Sequence, residues 1–258
     1  MLENIRIVLV GTTHPGNIGG AARAMKNMGL SRLLLVEPLH FPSAEATARA
    51  SGADDILAGA ELHTTLDAAL AGCGVVFGAT ARDRSIPWPA VDPREAAAHA
   101  LAAAANAPVA VVFGREHSGL SNEELDRCNY LLHIPTNPDY SSLNLAAAVQ
   151  VVVYELRMAG RHGPVMAPDA TPLASAEERE RFYTHLEQVL TELEFLDPVN
   201  PKHLMRRLRR LYNRAEPDQT EINILRGILT TVQRRVSAAG TGRPPLANSV
   251  RMRNGDGE

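Results

Sequence analysis

Residues 134–150 read IPTNPDYSSLNLAAAVQ, and the parsing of this stretch decides the architecture around it. An apolar run from Tyr130 to Ile134 ends at Pro135, Thr136 to Ser142 is turn chemistry, and from Leu143 apolar residues recur at helical spacing to about Met158. A short buried strand thus feeds a helix through a polar turn, as in a parallel α/β sheet. Ser141 and Ser142 lie at the expected helix start, where a serine oxygen can accept a bond from an unpartnered N–H and stabilise the helix by about 1 kcal/mol. Capping leaves Asn144 unexplained, because this spacing puts a poor helix former in the first turn.

The same alternation recurs along the chain. Runs rich in Val, Ile and Leu at residues 5–10, 32–36, 75–79 and 109–113 are separated by helical stretches. This predicts an α/β fold, a mostly parallel sheet with helices on both faces, over residues 1–160. The segment GRHGPVMAPDATPLAS, residues 160–175, breaks the pattern with glycine and proline, and a linker is expected over 161–175. Three amphipathic helical segments follow at 176–196, 201–214 and 220–237, forming a small helical domain over 176–238. Their apolar stripes are Phe182, Leu186, Val189 and Leu193; Leu204, Leu208 and Leu211; and Ile222, Leu225, Leu229, Val232 and Val236. The tail, 239–258, has a composition that predicts disorder.

With 258 residues, 45% hydrophobic and 21% charged, the composition is that of a soluble globular protein. No segment approaches the roughly 18 uninterrupted apolar residues of a membrane span, and Glu3 and Arg6 flank too short an apolar core for a signal peptide. A cytoplasmic protein without membrane contact is expected. Cys73 and Cys128 lie in or beside apolar runs and form no metal-ligand spacing with the histidines, so reduced core thiols and no metal site are expected. The net charge of -3 conceals an asymmetry: residues 1–160 hold 11 Lys/Arg against 16 Asp/Glu, whereas 161–258 hold 15 against 13. The stretch KHLMRRLRRLYNR carries Lys202, Arg206, Arg207, Arg209, Arg210 and Arg214 with no acid, which reads as a solvated helix face or a footprint for phosphates.

Polar loops follow two further strands. The first strand runs into GTTHPGNIGGAARAMKNMG, residues 11–29. This segment lacks the Lys and Ser/Thr of a P-loop, and His14 stands where a dinucleotide fingerprint needs glycine. Glu37, at the end of the second strand, keeps a Rossmann oxidoreductase open as an alternative. Asn17 stands at the helix start and Arg23 two turns in; they read either as site residues or as an N-cap and a surface charge. In FGREHSGLSNEEL, residues 113–125, Gly114 permits close backbone approach, Ser121 and Glu124 form a capping box, and Glu116 lies in the loop between. Ligands of open α/β sheets bind beyond the carboxyl ends of the strands, where these loops gather.

Together the three segments, N-x-x-x-x-x-R, F-G-x-E-x-x-G-L and I-P-(x)n-S-L-N, resemble the motifs of the SPOUT family of RNA methyltransferases, in the branch that methylates the ribose 2'-oxygen. That resemblance covers about residues 1–160. The chain as a whole, including LRRLYNRA and INILRGIL, is similar to bacterial members that act on nucleotide 32 (C or U) of the tRNA anticodon loop. The resemblance implies a trefoil knot at the C-terminal end of the first domain, an otherwise rare topology. It also implies an S-adenosyl-L-methionine (S-adenosylmethionine) site within that knot, a homodimer, and tRNA rather than DNA as partner. Carried over by motif, it assigns catalytic roles to Asn17, Arg23, Glu116, Ser142 and Asn144. It assigns the cofactor to Ala79, Thr80, Ala81, Gly114, Ile134, Ser141, Ser142 and Leu143. RNA contact falls to Arg23 and to the basic helix, Lys202, Arg206, Arg207, Arg209, Arg210 and Arg214. Methylation of another tRNA or rRNA position, a Rossmann-type NAD-dependent oxidoreductase using Glu37, and a non-catalytic tRNA-binding protein stay open as alternatives.

Overall fold

The apolar runs form the middle of one sheet whose edges the sequence did not announce. A computed structural model describes residues 1–81, 88–161 and 172–240. Its strands are β1 (Ile5–Val10), β2 (Arg32–Val36), β3 (Glu61–His63), β4 (Val75–Ala79), β5 (Ala90–Val91), β6 (Val109–Phe113) and β7 (Tyr130–Leu132). They pair in parallel as a seven-stranded sheet of order β3-β2-β1-β6-β4-β7-β5. The central strand β6, VAVVF, is buried along its whole length, as expected for a strand covered on both faces. The edge strands β3 and β5 are short and largely exposed, and no apolar run marks them. The last expected strand ends at Leu132, so His133 and Ile134 belong to the following loop.

The helices are α1 (Pro15–Met28), α2 (Ala44–Ala50), α3 (Asp54–Ala58), α4 (Leu66–Ala69), α5 (Pro93–Ala103), α6 (Asn122–Leu125) and α7 (Leu145–Arg161) in the first region. After them come α8 (Ala176–Glu192), α9 (Leu204–Ala215) and α10 (Gln219–Gly240). Alternate residues of each strand feed opposite faces. Ile5, Ile7, Leu9, Val75 and Phe77 pack with the apolar sides of α1, α5 and α7, whereas Val8, Val10, Val76 and Val112 pack with Leu66, Leu70 and Leu125. Helix α1 is wedged between α2 and α7 by small residues. A Cβ on Gly19 would lie 2.1 Å from the Ala46 carbonyl oxygen, and one on Gly20 would lie 2.8 Å from the Ala146 Cβ.

Helices α8 to α10 build a smaller core around Phe182, Tyr183, Leu186, Val189, Ile222 and Leu229. Leu193 and Leu211, which helical spacing places in the apolar stripes, are instead 45% and 46% exposed. On α9 the apolar side turns to Met205, Leu208 and Tyr212, because the neighbouring face carries Arg206, Arg209 and Asn213, which bond to other segments. The junction with the sheet is polar and buried. Arg179 of α8 is 3% exposed and donates to the carbonyls of Gly74 (2.7 Å) and Ala174 (2.6 Å) and to Asn129 Oδ1 (3.3 Å). Of the expected linker, residues 162–171 lie outside the described residues, and Leu173 bridges to Asp218. Helix α10 extends through Ala239 and Gly240, which were expected to begin the tail; residues 241–258 lie outside the described residues. Cys73 and Cys128 are free, and burial pushes their thiols up to about 11 and about 12, so neither is a thiolate at neutral pH.

The tight α1–α2 approach predicts that Gly19→Ala lowers the unfolding free energy by about 1–3 kcal/mol, the typical cost of overpacking. Gly227→Ala in α10, where an added Cβ meets nothing within 4 Å, should leave stability unchanged or raise it by up to about 1 kcal/mol. Urea midpoints of the two variants against the parent check both.

Candidate active site

A cavity of about 250 Å³ opens beyond the carboxyl ends of β4, β6 and β7. Its walls are Ala79, Thr80 and Ala81 after β4, the loop from Gly114 to Gly119 after β6, and Ile134, Thr136, Ser141, Ser142 and Leu143 after β7. Phe113, Leu132, Leu145 and Ala148 make its apolar floor. Every residue that the resemblance assigned to a cofactor lies on this one surface, as do Glu116 and Ser142 of the catalytic set. Asn17, Arg23 and Asn144 are not among the lining residues.

The loop after β6 is pinched shut: Arg115 N donates to the Gly119 carbonyl (3.2 Å) and Gly119 N returns a bond to the Arg115 carbonyl (2.8 Å). A Cβ on Gly114 would lie 2.2–2.5 Å from the backbone of Gly119 and Leu120, so only glycine fits. Behind this loop, Ser121 and Glu124 complete the expected capping box of α6. The pinch directs Glu116 at the mouth of α1. Its carboxylate accepts from Thr13 N (3.1 Å), Thr13 Oγ1 (3.0 Å), His14 N (3.2 Å) and Asn17 Nδ2 (3.0 Å). Burial alone would raise this carboxyl, but the bonds from Asn17, Thr13 and His14 outweigh it and hold the group at about 2.

From Glu116 the order propagates. An ionised carboxylate only accepts, so Asn17 must offer it the amide nitrogen and keep its oxygen for Asn144. Asn144 Nδ2 donates to that oxygen at 2.8 Å, and Asn144 Oδ1 in turn accepts from Ala146 N (2.9 Å) and Ala147 N (3.3 Å). Asn144 therefore caps α7, which begins at Leu145. This corrects the reading in which the serines cap and Asn144 sits in the first turn. The loop runs two residues further, which leaves Ser141 and Ser142 on the cavity. Asn17 is likewise no cap of α1: that position is His14, and Asn17 lies within the first turn, bridging two other elements.

The same carboxylate removes the oxidoreductase alternative. A dinucleotide's pyrophosphate would sit on the main-chain donors of the turn between β1 and α1. Here Glu116 already occupies the Thr13 and His14 N–H groups, and Glu37 at the end of β2 does not line the cavity.

The cationic residues divide into two sets. Arg206 Nε bonds both oxygens of Asp126 (2.9 and 3.0 Å), and Arg209 holds Glu180 through both terminal nitrogens, its guanidinium 4.4 Å from the centre of the Tyr183 ring. Both point inward, at the junction with the sheet and with α8. Lys202, Arg207 and Arg214 are exposed and Arg210 half-buried, and none of these forms an ion pair among the described residues. Arg23 is exposed on the outward side of α1. Sequence reasoning missed the Thr13 and His14 main-chain donors, because their partner is about a hundred residues away and backbone N–H groups leave no mark in composition. No group of three or more His, Cys, Asp or Glu is placed to hold a metal ion among the described residues.

Similarity to known proteins fixes the family. The model of the SpoU rRNA Methylase family matches residues 4–154. The chain belongs to the SpoU methylase family. In this SpoU methylase a second match, to the tRNA methyltransferase TrmJ, C-terminal domain, covers residues 177–241. The chain is 56% identical over 245 residues to the tRNA (cytidine/uridine/adenosine-2'-O-)-methyltransferase TrmJ of Pseudomonas aeruginosa (strain UCBPP-PA14), covering 91% of this chain and 95% of that protein. It is 52% identical over 239 residues to the tRNA (cytidine/uridine-2'-O-)-methyltransferase TrmJ of Escherichia coli (strain K12), covering 91% and 97%. The crystal structure of TrmJ from Z. mobilis ZM4 matches it with a TM-score of 0.77 at 35% identity, covering 88% of this chain and 98% of that one.

Glu116→Gln would set an amide nitrogen against donors that need acceptors, and should cost about 1–3 kcal/mol at neutral pH. Because the folded carboxyl titrates near 2 against an ordinary value of 4.5, its stabilisation is complete above about pH 4.5 and lost as pH falls toward 2. Urea unfolding of parent and variant across pH should give a constant difference above about pH 5 that shrinks steadily below it.

Proposed function

We propose that this protein transfers a methyl group from S-adenosylmethionine to the ribose 2'-hydroxyl of nucleotide 32 (C or U) in the tRNA anticodon loop. One observation carries the reading: the similarity to tRNA 2'-O-methyltransferases spans both the region with the cavity and the helical region after it. The cavity suits such a cofactor, with Ala79, Ala81, Leu132 and Ile134 as apolar walls for an adenine ring and Ser141, Ser142 and Thr136 beside them for polar groups. When bound, the cofactor supplies an electrophilic methyl group, so the protein has to orient two reactants and manage one proton. Glu116, Asn17 and Asn144 hold the loops that bind. Ser142, exposed at the cavity wall, meets the ribose. As the 2'-oxygen would gain the methyl group, the cofactor's sulfur–methyl bond would break and the thioether leave, and the hydroxyl proton would pass to a neighbouring phosphate oxygen, directly or through the Ser142 hydroxyl, which gives up its own proton as it accepts. Arg23, with a planar guanidinium that can grip phosphate oxygens in pairs, clamps that phosphate and stabilises the developing negative charge.

Arg23 reaches a cavity through a second copy of the chain. On α7, Val151 (36% exposed) and Tyr154 (47%) continue an apolar stripe from Leu143 (40%), and α1, packed on α7 at Gly20, carries the exposed Arg23. Such a stripe, packed on its symmetry mate, makes an isologous dimer in which each Arg23 serves the other's site. In the same reading residues 1–160 carry out methyl transfer and tie the family's trefoil knot where the loops after β6 and β7 meet. Residues 176–238 hold tRNA by Lys202, Arg207, Arg210 and Arg214. No helix among the described residues is long and apolar enough to cross a membrane. We place the protein in the cytoplasm with its substrate.

Incubation with labelled cofactor and total tRNA, followed by nuclease mapping, should put the label on 2'-O-methylated C or U at nucleotide 32. Label on a base, or on no RNA, would refute the assignment. Arg23→Ala and Ser142→Ala should each lower single-turnover rate by on the order of 10²-fold while cofactor affinity stays within about threefold. Tyr154→Glu should convert the dimer to an inactive monomer in sedimentation velocity, and a fully active monomer would defeat the composite site.

A further inference from the structure

Helix α9 has two faces with opposite chemistry. Outward it presents Arg207 and Arg214, with the half-buried Arg210 at the edge of the same face. Inward it presents Asn213, 2% exposed, with every polar group engaged. Asn213 Nδ2 donates to the carbonyls of Asp126 (3.3 Å) and Cys128 (3.1 Å), Oδ1 accepts from Tyr183 Oη (2.7 Å), and the main-chain oxygen accepts from Asn129 Nδ2 (3.2 Å). Asn129, fully buried, passes the connection on: its Oδ1 accepts from Val76 N (2.9 Å) and its own N donates to the Val76 carbonyl (2.8 Å). Val76 lies in β4, and Asn129 directly precedes β7. These two strands deliver Ala79, Thr80, Ala81 and Ile134 to the cavity.

A buried asparagine inside a helix is a poor choice for stability. It lowers helix propensity and buries polar groups where an apolar side chain would pack as well. What directional bonds provide is one register, since an apolar contact tolerates sliding and a set of fixed donor–acceptor pairs does not; setting register is the best-attested use of buried polar groups. We infer that Asn213 and the Asp126–Arg206 pair are positioning residues that fix the span between the cationic face of α9 and the methyl-transfer cavity, and so select which nucleotide of a folded RNA is methylated. The inference rests on the function proposed above. The ligand chemistry is that of a structured RNA, whose phosphates stand at a fixed distance from the target ribose. The ion pair adds a second point of attachment on the same segment, Arg206 to Asp126.

The test compares full-length protein with Asn213→Ala, Asp126→Asn, and the double variant Arg207→Glu with Arg210→Glu, on one full-length tRNA transcript. Three quantities are read: cofactor affinity by calorimetry, thermal unfolding, and the ratio of 2'-O-methylation at the favoured nucleotide to that at its neighbours. Asn213→Ala should hold cofactor affinity within about threefold, lose on the order of 10²-fold in rate at the favoured nucleotide, and raise the neighbours' share about tenfold. Asp126→Asn should move the ratio the same way by a smaller factor. That variant is diagnostic, because removing an acid beside a phosphate-binding helix favours RNA binding by charge alone. It also decides the matter if Asn213→Ala does not fold. The outer-face variant should weaken tRNA binding at every position alike, flatten its salt dependence and leave the ratio unchanged. A uniform fall in rate with an unchanged ratio in both seam variants would overturn the inference and make the seam merely structural. Failure of the unaltered protein to methylate any tRNA nucleotide would instead overturn the functional reading and the ruler with it.

Discussion

The site depends on one carboxylate. Glu116, extended from a loop pinched between Arg115 and Gly119, gathers donors from Thr13, His14 and Asn17 and thereby joins the ends of β6 and β1. Held as an anion near the start of α1, it adds a favourable charge to the positive end of the helix dipole. Its acceptor-only chemistry then sets the orientation of two asparagine amides in series, the second of which starts α7. Loops from three distant parts of the chain are thus fixed in one arrangement by hydrogen bonds.

Packing makes this chain of bonds effective. Asn17 and Asn144 can meet because α1 and α7 approach closely at Gly20 and Ala146, and α1 is held from the other side by Gly19 against the Ala46 carbonyl. The residues that the family motifs mark therefore fall into two physical groups. Asn17, Glu116 and Asn144 are engaged with one another and with neighbouring main-chain donors, whereas Ser142 and Arg23 are exposed. The same division runs through the basic helix, where Arg206 and Arg209 pair with acids and Arg207, Arg210 and Arg214 form no ion pair among the described residues.

Much of this was legible in the sequence, and the exceptions have physical causes. β1, β2, β4 and β6 were readable as continuous apolar runs because both faces of a central strand are covered, while β3 and β5 escaped because edge strands have little to bury. The cavity's residues could be grouped only through motif resemblance, since Ala79, Gly114 and Ser142 share no local pattern. Periodicity placed Leu211 in the core and started α7 two residues early. It registers where apolar residues recur, and it is blind to Asn213 binding three carbonyl or hydroxyl partners or to Asn144 capping the turn ahead of it.

The most direct measurement of the Glu116–Asn17–Asn144 chain is a double-mutant cycle on S-adenosylmethionine affinity, using Glu116→Gln, Asn144→Ala and the double variant. These two residues bond to Asn17 and not to each other, so any coupling between them passes through its amide. A directional relay predicts that the double variant loses less than the sum of the single losses, by about 1 kcal/mol or more. Losses that add within about 0.3 kcal/mol would mean that the two ends act independently and that no such relay organises the site.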